Sequence, residues 1–232
     1  MLYSSIKTLI SGGSVDFEMM VAQIVSVLFI IFFILPLHEF AHGIVAYKLG
    51  DPTPKYDKRL TINPLASVDP VGALALLLFS FGWAKPVQVN PRNFKNPKRD
   101  MAIVALAGPV SNLLAALVGA CIFVPVVIFA PTNAVTEFLI MFFQYYIIIN
   151  ISLAVFNLIP IPPLDGSRII AAFLSDRAMY QYYSLQRYFY MIFFVLMLSG
   201  TLSTPLSIAQ NFFYDIIINI ALFPYQLLGI IG

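Results

Sequence analysis

From Met19 to about Leu49 the chain carries no lysine or arginine until Lys48 and no acid except Glu39. This apolar run exceeds the roughly 20 residues that span a bilayer, and it reads as one long transmembrane helix. It does not stand alone. Met101 to about Ala130 and Val135 to about Ile159 are two further spans, joined by a short turn at Pro131, Thr132 and Asn133. Tyr188 to about Leu202 and Leu206 to Ile231 form a last pair. Val71 to Trp83 is apolar but too short to cross, and reads as re-entrant or interfacial. Composition agrees: of 232 residues 60% are hydrophobic and 10% charged, with a mean hydropathy of +0.88. That leaves too few polar residues to cover a water-soluble domain. The expected fold is an all-α polytopic membrane protein. It has about five transmembrane helices, a short re-entrant or interfacial segment, and a small β-strand element near the cytoplasmic face. The strand is Val87 to Asn90, set between Pro86 and Pro91, where an extended substrate could be received by strand addition, against the plainer reading of an ordinary interfacial loop.

Charge placement orients the bundle. Lys48, Lys55, Lys58 and Arg59 follow the first span; Lys85, Arg92, Lys95, Lys98 and Arg99 follow the short segment; Arg168, Arg177 and Arg187 follow the third span. The positive-inside rule places all three groups in the cytoplasm if Val71 to Trp83 does not cross. The N-terminus is then outside and the C-terminus inside. A net charge of +2, with no basic helix interleaved with aromatics, excludes a nucleic-acid footprint. The N-terminal residues lack the pattern of a cleavable signal peptide. Cys121 cannot pair within the chain and is expected as a buried small hydrophobe. No repeat or linker marks a second domain, so residues 1–232 are expected to be one membrane-embedded unit.

Near the cytoplasmic end of the first span lies His38-Glu39-Phe40-Ala41-His42. Residues four apart share a helix face, so both imidazoles can grip one zinc ion while Glu39 reaches a water beside it. Ionisable groups inside a membrane helix are costly, which argues for a functional set. With Lys48 marking the interface, His42 lies about 9 Å and His38 about 15 Å inside it. Pro36, just before the motif, is expected to kink the helix, either to admit water or as a packing feature.

A catalytic zinc takes three protein ligands and keeps one position open. Those are the only two histidines, so carboxylates and Cys121 are the candidates for the third. Asp165 follows a stretch, Asn157 to Leu164, in which Pro160, Pro162 and Pro163 must end the helix near the depth of His42. Its plainer role is a turn or cap at the start of the next helix. Glu137 and Asp215 do not share that depth. Gly108, Ser111, Asn112, Ala115, Ala116 and Gly119 form a small-residue face suited to close packing behind the histidine helix.

These motifs, together with Asn63 to Gly72 and Ala107 to Asn112, resemble the ordered motifs of the site-2 protease family of intramembrane zinc metalloproteases. The resemblance covers about Ile31 to Ile170. It implies hydrolysis of peptide bonds in or near transmembrane segments of membrane-protein substrates. His38, His42 and Asp165 would be ligands of one Zn²⁺ per chain, and Glu39 the base. It also implies that Asn157 helps to hold the substrate or its oxyanion, against the simpler role of satisfying broken helix ends. The analogy makes a prokaryotic plasma membrane the expected location, with the site toward the cytoplasm. Ser67 stands where family members often carry histidine, and no PDZ or CBS module is expected, as in the minimal members. Two other classes stay open: a catalytically silent relative that binds membrane helices, against which Glu39 argues, and a metal or ion transporter. A transporter tends to show paired broken helices, and only one break is found here.

Overall fold

The computed structural model describes residues 16–79, 83–186, 188, 191, 195 and 199–231. Helix α1 (Phe17–Phe29) starts where the Asp16 carboxylate accepts the Met19 N–H. It runs through a π turn (Ile30–Ile34) into α2 (Leu35–Lys48), so the first expected span is one interrupted rod. The interruption has a local cause. Pro36 has no N–H to donate, and its ring would crowd the carbonyl four residues earlier. The chain widens instead, with the Leu35 N–H reaching back to Ile30 O. Ile30, Ile31 and Ile34 of this turn are buried in the apolar core, so the break packs against the bundle through these three side chains.

Beyond α2 come two short helices, α3 (Thr53–Tyr56) and α4 (Pro64–Ser67), then α5 (Pro70–Phe79). At about 1.5 Å per residue α5 is only about half the depth of a hydrocarbon core. The chain also comes back to its starting point: Val68 pairs antiparallel with Ala84, and the Lys85 N–H donates to Ser67 O (2.8 Å). The expected short segment therefore returns to where it began, as a re-entrant or interfacial segment would. Gly72 is required here, because a Cβ would run into the Trp83 backbone.

The expected strand at Val87 to Asn90 does not form. Among the described residues the only β pairing is the isolated Val68–Ala84 bridge. Residues 87–90 are extended, but two of their N–H groups go to carboxylates, Val87 to Glu39 and Asn90 to Asp51. Pro86 and Pro91 have no N–H for a ladder.

A 3₁₀ turn (Pro91–Asn93) leads into α6 (Pro97–Phe129), and Asn133 caps α7 (Ala134–Asn157) by accepting the Thr136 N–H. Helices α6 and α7 form the expected hairpin. The small-residue face of α6 is what permits its close packing. Gly108, Asn112, Ala115, Ala116 and Gly119 are buried, and a Cβ on Gly119 would strike the Tyr146 ring of α7. Cys121 turns outward on the opposite face of α6 and is exposed, contrary to expectation. Polar groups tie α1 to α7: Ser26 Oγ donates to Phe142 O and Gln23 Nε2 to Tyr145 Oη. Such bonds are favoured where no water competes.

Helices α8 (Asp165–Ala171) and α9 (Asp176–Ser184) follow the proline stretch, and α10 (Ser203–Leu227) packs on α6 and α7 through Ile217 and Ala221. Four helical rods among the described residues are long and apolar enough to cross a membrane: Phe17–Lys48, Pro97–Phe129, Ala134–Asn157 and Ser203–Leu227. The fifth expected span, Tyr188 to about Leu202, lies largely outside the described residues. The protein is an apolar helical bundle whose outer faces carry large hydrophobic side chains such as Phe33, Leu114 and Val118.

Candidate metal centre

His38 and His42 sit one turn apart on α2, and both are buried. Asp165 reaches them from the first turn of α8. It gets there because the proline-rich stretch ends α7 and lets the chain fold back. Gly166 completes the approach: a side chain there would collide with Leu158 O and Ile159 O at the broken end of α7.

His42 Nε2 lies 3.1 Å from His38 Nε2, and Asp165 Oδ2 lies 3.4 Å from His38 Nε2 and 3.2 Å from His42 Nε2. Both ring orientations are fixed from behind. The His42 Nδ1–H donates to Val104 O of α6 (2.7 Å), since a carbonyl can only accept. His38 Nδ1 faces Asn112 Oδ1 at 3.3 Å. With both Nδ1 atoms protonated, each Nε2 carries a lone pair. In the neutral rings two lone pairs and a carboxylate oxygen then converge on one point, an arrangement that a cation makes favourable. Zinc ligands about 2.0–2.1 Å from the ion at tetrahedral angles lie about 3.3 Å apart, which matches the triangle seen. His38, His42 and Asp165 form the group able to hold a metal among the described residues. Gly108 of α6 faces the same point: a Cβ there would press on His38 Nε2 and His42 Nε2. The neighbouring Pro109 removes an N–H from the same turn.

Glu39 is buried beside the histidines, and its Oε2 accepts the Val87 N–H (2.7 Å). Asn157, at the last turn of α7, donates its Nδ2 to Leu153 O of its own helix (2.9 Å). It is not drawn into the cluster. Ser67 is buried, and its carbonyl accepts the Lys85 N–H. Glu137 lies in the first turn of α7, at the far end of that helix from Asn157. Sequence reasoning missed the partners of the site: Val104 O, Asn112, the Val87 N–H and the bare face at Gly108. Only Gly108 and Asn112 left a trace in the sequence, as members of the small-residue stripe.

The fold and the site together define a helical membrane protein with three residues inside its bundle, His38, His42 and Asp165, that could hold a metal ion. Residues 123–200, which include Asp165 and exclude the two histidines, match Peptidase family M50. The chain is 41% identical over 162 residues to "Putative zinc metalloprotease YwhC" of Bacillus subtilis (strain 168), covering 69% of this chain and 74% of that one. It is 28% identical over 185 residues to "Putative zinc metalloprotease Rip2" of Mycolicibacterium smegmatis, covering 78% and 70%. The Rip2 of Mycobacterium tuberculosis (strain H37Rv) is 27% identical over 175 residues. No solved structure matches. This chain belongs to peptidase family M50.

Proposed function

We propose that this chain is an intramembrane zinc metalloprotease that hydrolyses peptide bonds in or near transmembrane segments of membrane proteins. The observation that carries the reading is the convergence of His38 Nε2, His42 Nε2 and Asp165 Oδ2 beside a buried glutamate. These three residues would hold the ion. Zinc, when bound there, supplies a Lewis acid that polarises the scissile carbonyl and acidifies water.

The protein's own groups do the rest. Glu39 is the general base: the Val87 N–H fixes Oε2, leaving Oε1 to take the proton from the attacking water and return it to the leaving amine. Val104 O and Asn112 hold the imidazoles in the tautomer that binds metal. Burial among α2, α6 and α8 limits the site to water that enters with the substrate. Asn157 is the candidate donor for the substrate oxyanion. It stands at the mouth of the proline-rich stretch, and a side-chain rotation frees its Nδ2 from Leu153 O.

The basic loops support a cytoplasmic site with the N-terminus outside. Lys48 ends α2, Arg59 donates to Ala66 O and Lys85 O, and Lys98 pairs with Asp176 (2.7 Å), which gathers the loops at one end of the bundle. The Bacillus relative fits a prokaryotic plasma membrane.

The test is zinc per chain and proteolysis in detergent-purified protein. Wild type is expected to hold about one zinc, and Asp165→Ala to lose it. Glu39→Gln is expected to keep the zinc and lose cleavage. A wild type that binds no zinc after supplementation overturns the reading. Cleavage that persists in Glu39→Gln overturns the mechanism.

A further inference from the structure

Residues 84–90 run without helix beside α2 into the 3₁₀ turn Pro91–Asn93, and charged side chains take up their backbone groups where a sheet would otherwise do so. Arg59 donates to Lys85 O. Glu39 accepts the Val87 N–H (2.7 Å). Three residues on, Asp51 Oδ2 accepts the Asn90 N–H (2.7 Å). Asp51 Oδ1 takes three more bonds, from Asn93 Nδ2 (2.6 Å), Thr53 Oγ1 (2.6 Å) and the Thr53 N–H (3.1 Å). Asp51 is fully buried just beyond the C-terminal end of α2, and no step of the proposed reaction uses it. Two carboxylates borne by one helix and its exit turn thus grip the two ends of one short segment. Prolines on either side, Pro86 and Pro91, stiffen it by fixing φ.

We propose that Asp51 is a positioning residue for Glu39. By anchoring Asn90 and Asn93 it holds the segment whose Val87 N–H orients the Glu39 carboxylate. The inference rests on the zinc-protease reading, in which Glu39 is the base. If Asp51 is neutralised, the charge-assisted hold on Asn90 and Asn93 is weakened, and the segment keeps its anchor at Ala84 and Lys85, its bond to Glu39 and the packing of Val87 and Val89. A misplacement of about 1 Å in a reacting group can cost about 10²-fold in rate. The metal ligands sit on α2 and α8 and make none of these bonds.

The experiment compares wild type, Asp51→Asn and Asn93→Ala as full-length protein in detergent. It reads amide hydrogen exchange at Val87 and Asn90, zinc per chain, and kcat and KM on fluorescent casein, an unfolded chain that needs no helix unwinding. Asp51→Asn is expected to expose both amides to exchange and lower kcat about tenfold or more, with KM within about twofold and zinc retained. Asn93→Ala removes one of the four bonds and is expected to shift kcat and Val87 exchange the same way by less. It serves if Asp51→Asn fails to fold. The proposal is overturned if Val87 keeps its protection while Asn90 loses it, if kcat is unchanged, or if zinc is lost together with kcat. A wild type that binds zinc and cleaves nothing counts against the protease reading, and the Val87 amide still decides the clamp.

Discussion

Gly108 faces two imidazoles, and the room where its side chain would stand is the room a metal needs. Gly108→Ala is therefore expected to weaken zinc binding at least tenfold while the bundle stays folded, measured by zinc titration against a chelator. Elsewhere on the stripe an alanine already stands, as at Ala115, which belongs to the apolar core. Asn112 makes a complementary case. Its Oδ1 faces His38 Nδ1, while its Nδ2 is buried without a partner, a cost that an apolar residue would avoid. Asn112→Leu is expected to weaken zinc by about 10–100-fold, and Asn112→Asp, which keeps the acceptor and removes the orphaned donor, to retain it. Asp51 carries a pH dependence. Burial alone would raise its carboxyl, but the hydrogen bonds from Thr53, Asn93 and Asn90 outweigh that and hold it below the ordinary value. Its stabilisation is thus fully present above the unfolded-state value of about 4 and is lost as pH falls through the lower folded-state value. Protection of the Asn90 amide is expected to be flat from about pH 7 to 5 and to fall only below about 4.

At the scale of elements, prolines and glycines decide where rods stop and how closely they meet. Pro36 turns one helix into two with a π turn between them, which sets the rotation of the histidine face relative to α1. Pro160, Pro162 and Pro163 end α7, and Gly166 lets α8 begin against that broken end. The junction gives Asp165 its reach. Gly166→Ala is expected to destabilise the protein by about 1–3 kcal/mol through overpacking and to release zinc by withdrawing Asp165. A thermal melt in detergent with and without added zinc checks both. If only the melting temperature moves and zinc stays, Asp165 does not depend on this contact.

For the whole molecule, the basic loops and the metal ligands lie toward one end of the bundle, and the α6–α7 turn lies at the other. With Cys121 replaced, a cysteine at Thr132 is expected to react with an impermeant maleimide in intact cells. One at Lys95 should react only once the inner face is opened. Reversed labelling would invert the topology. The α10 rod packs on α6 and α7, with Ile217 and Ala221 its buried residues, and carries none of the proposed metal ligands. Ile217→Ala is thus expected to lower the melting temperature without changing zinc per chain.

The long apolar runs by themselves determined that this chain is a helical membrane bundle, because the bilayer admits few other structures for them. The spacing of His38, Glu39 and His42 likewise fixed which residues share a helix face, since that is a property of one helix. Asp165 was legible as a candidate third ligand from its prolines, its depth and the family resemblance. What only the tertiary structure decided is everything that requires two elements to meet. Val104 O lies behind His42, Gly108 stands bare before both imidazoles, and Val87 lends an N–H to Glu39. The pattern at Val87 to Asn90 suggested a strand for the same reason it misled: alternation describes a segment alone. Whether an extended backbone pairs with another strand or with carboxylates depends on what the fold places beside it, here Glu39 and Asp51.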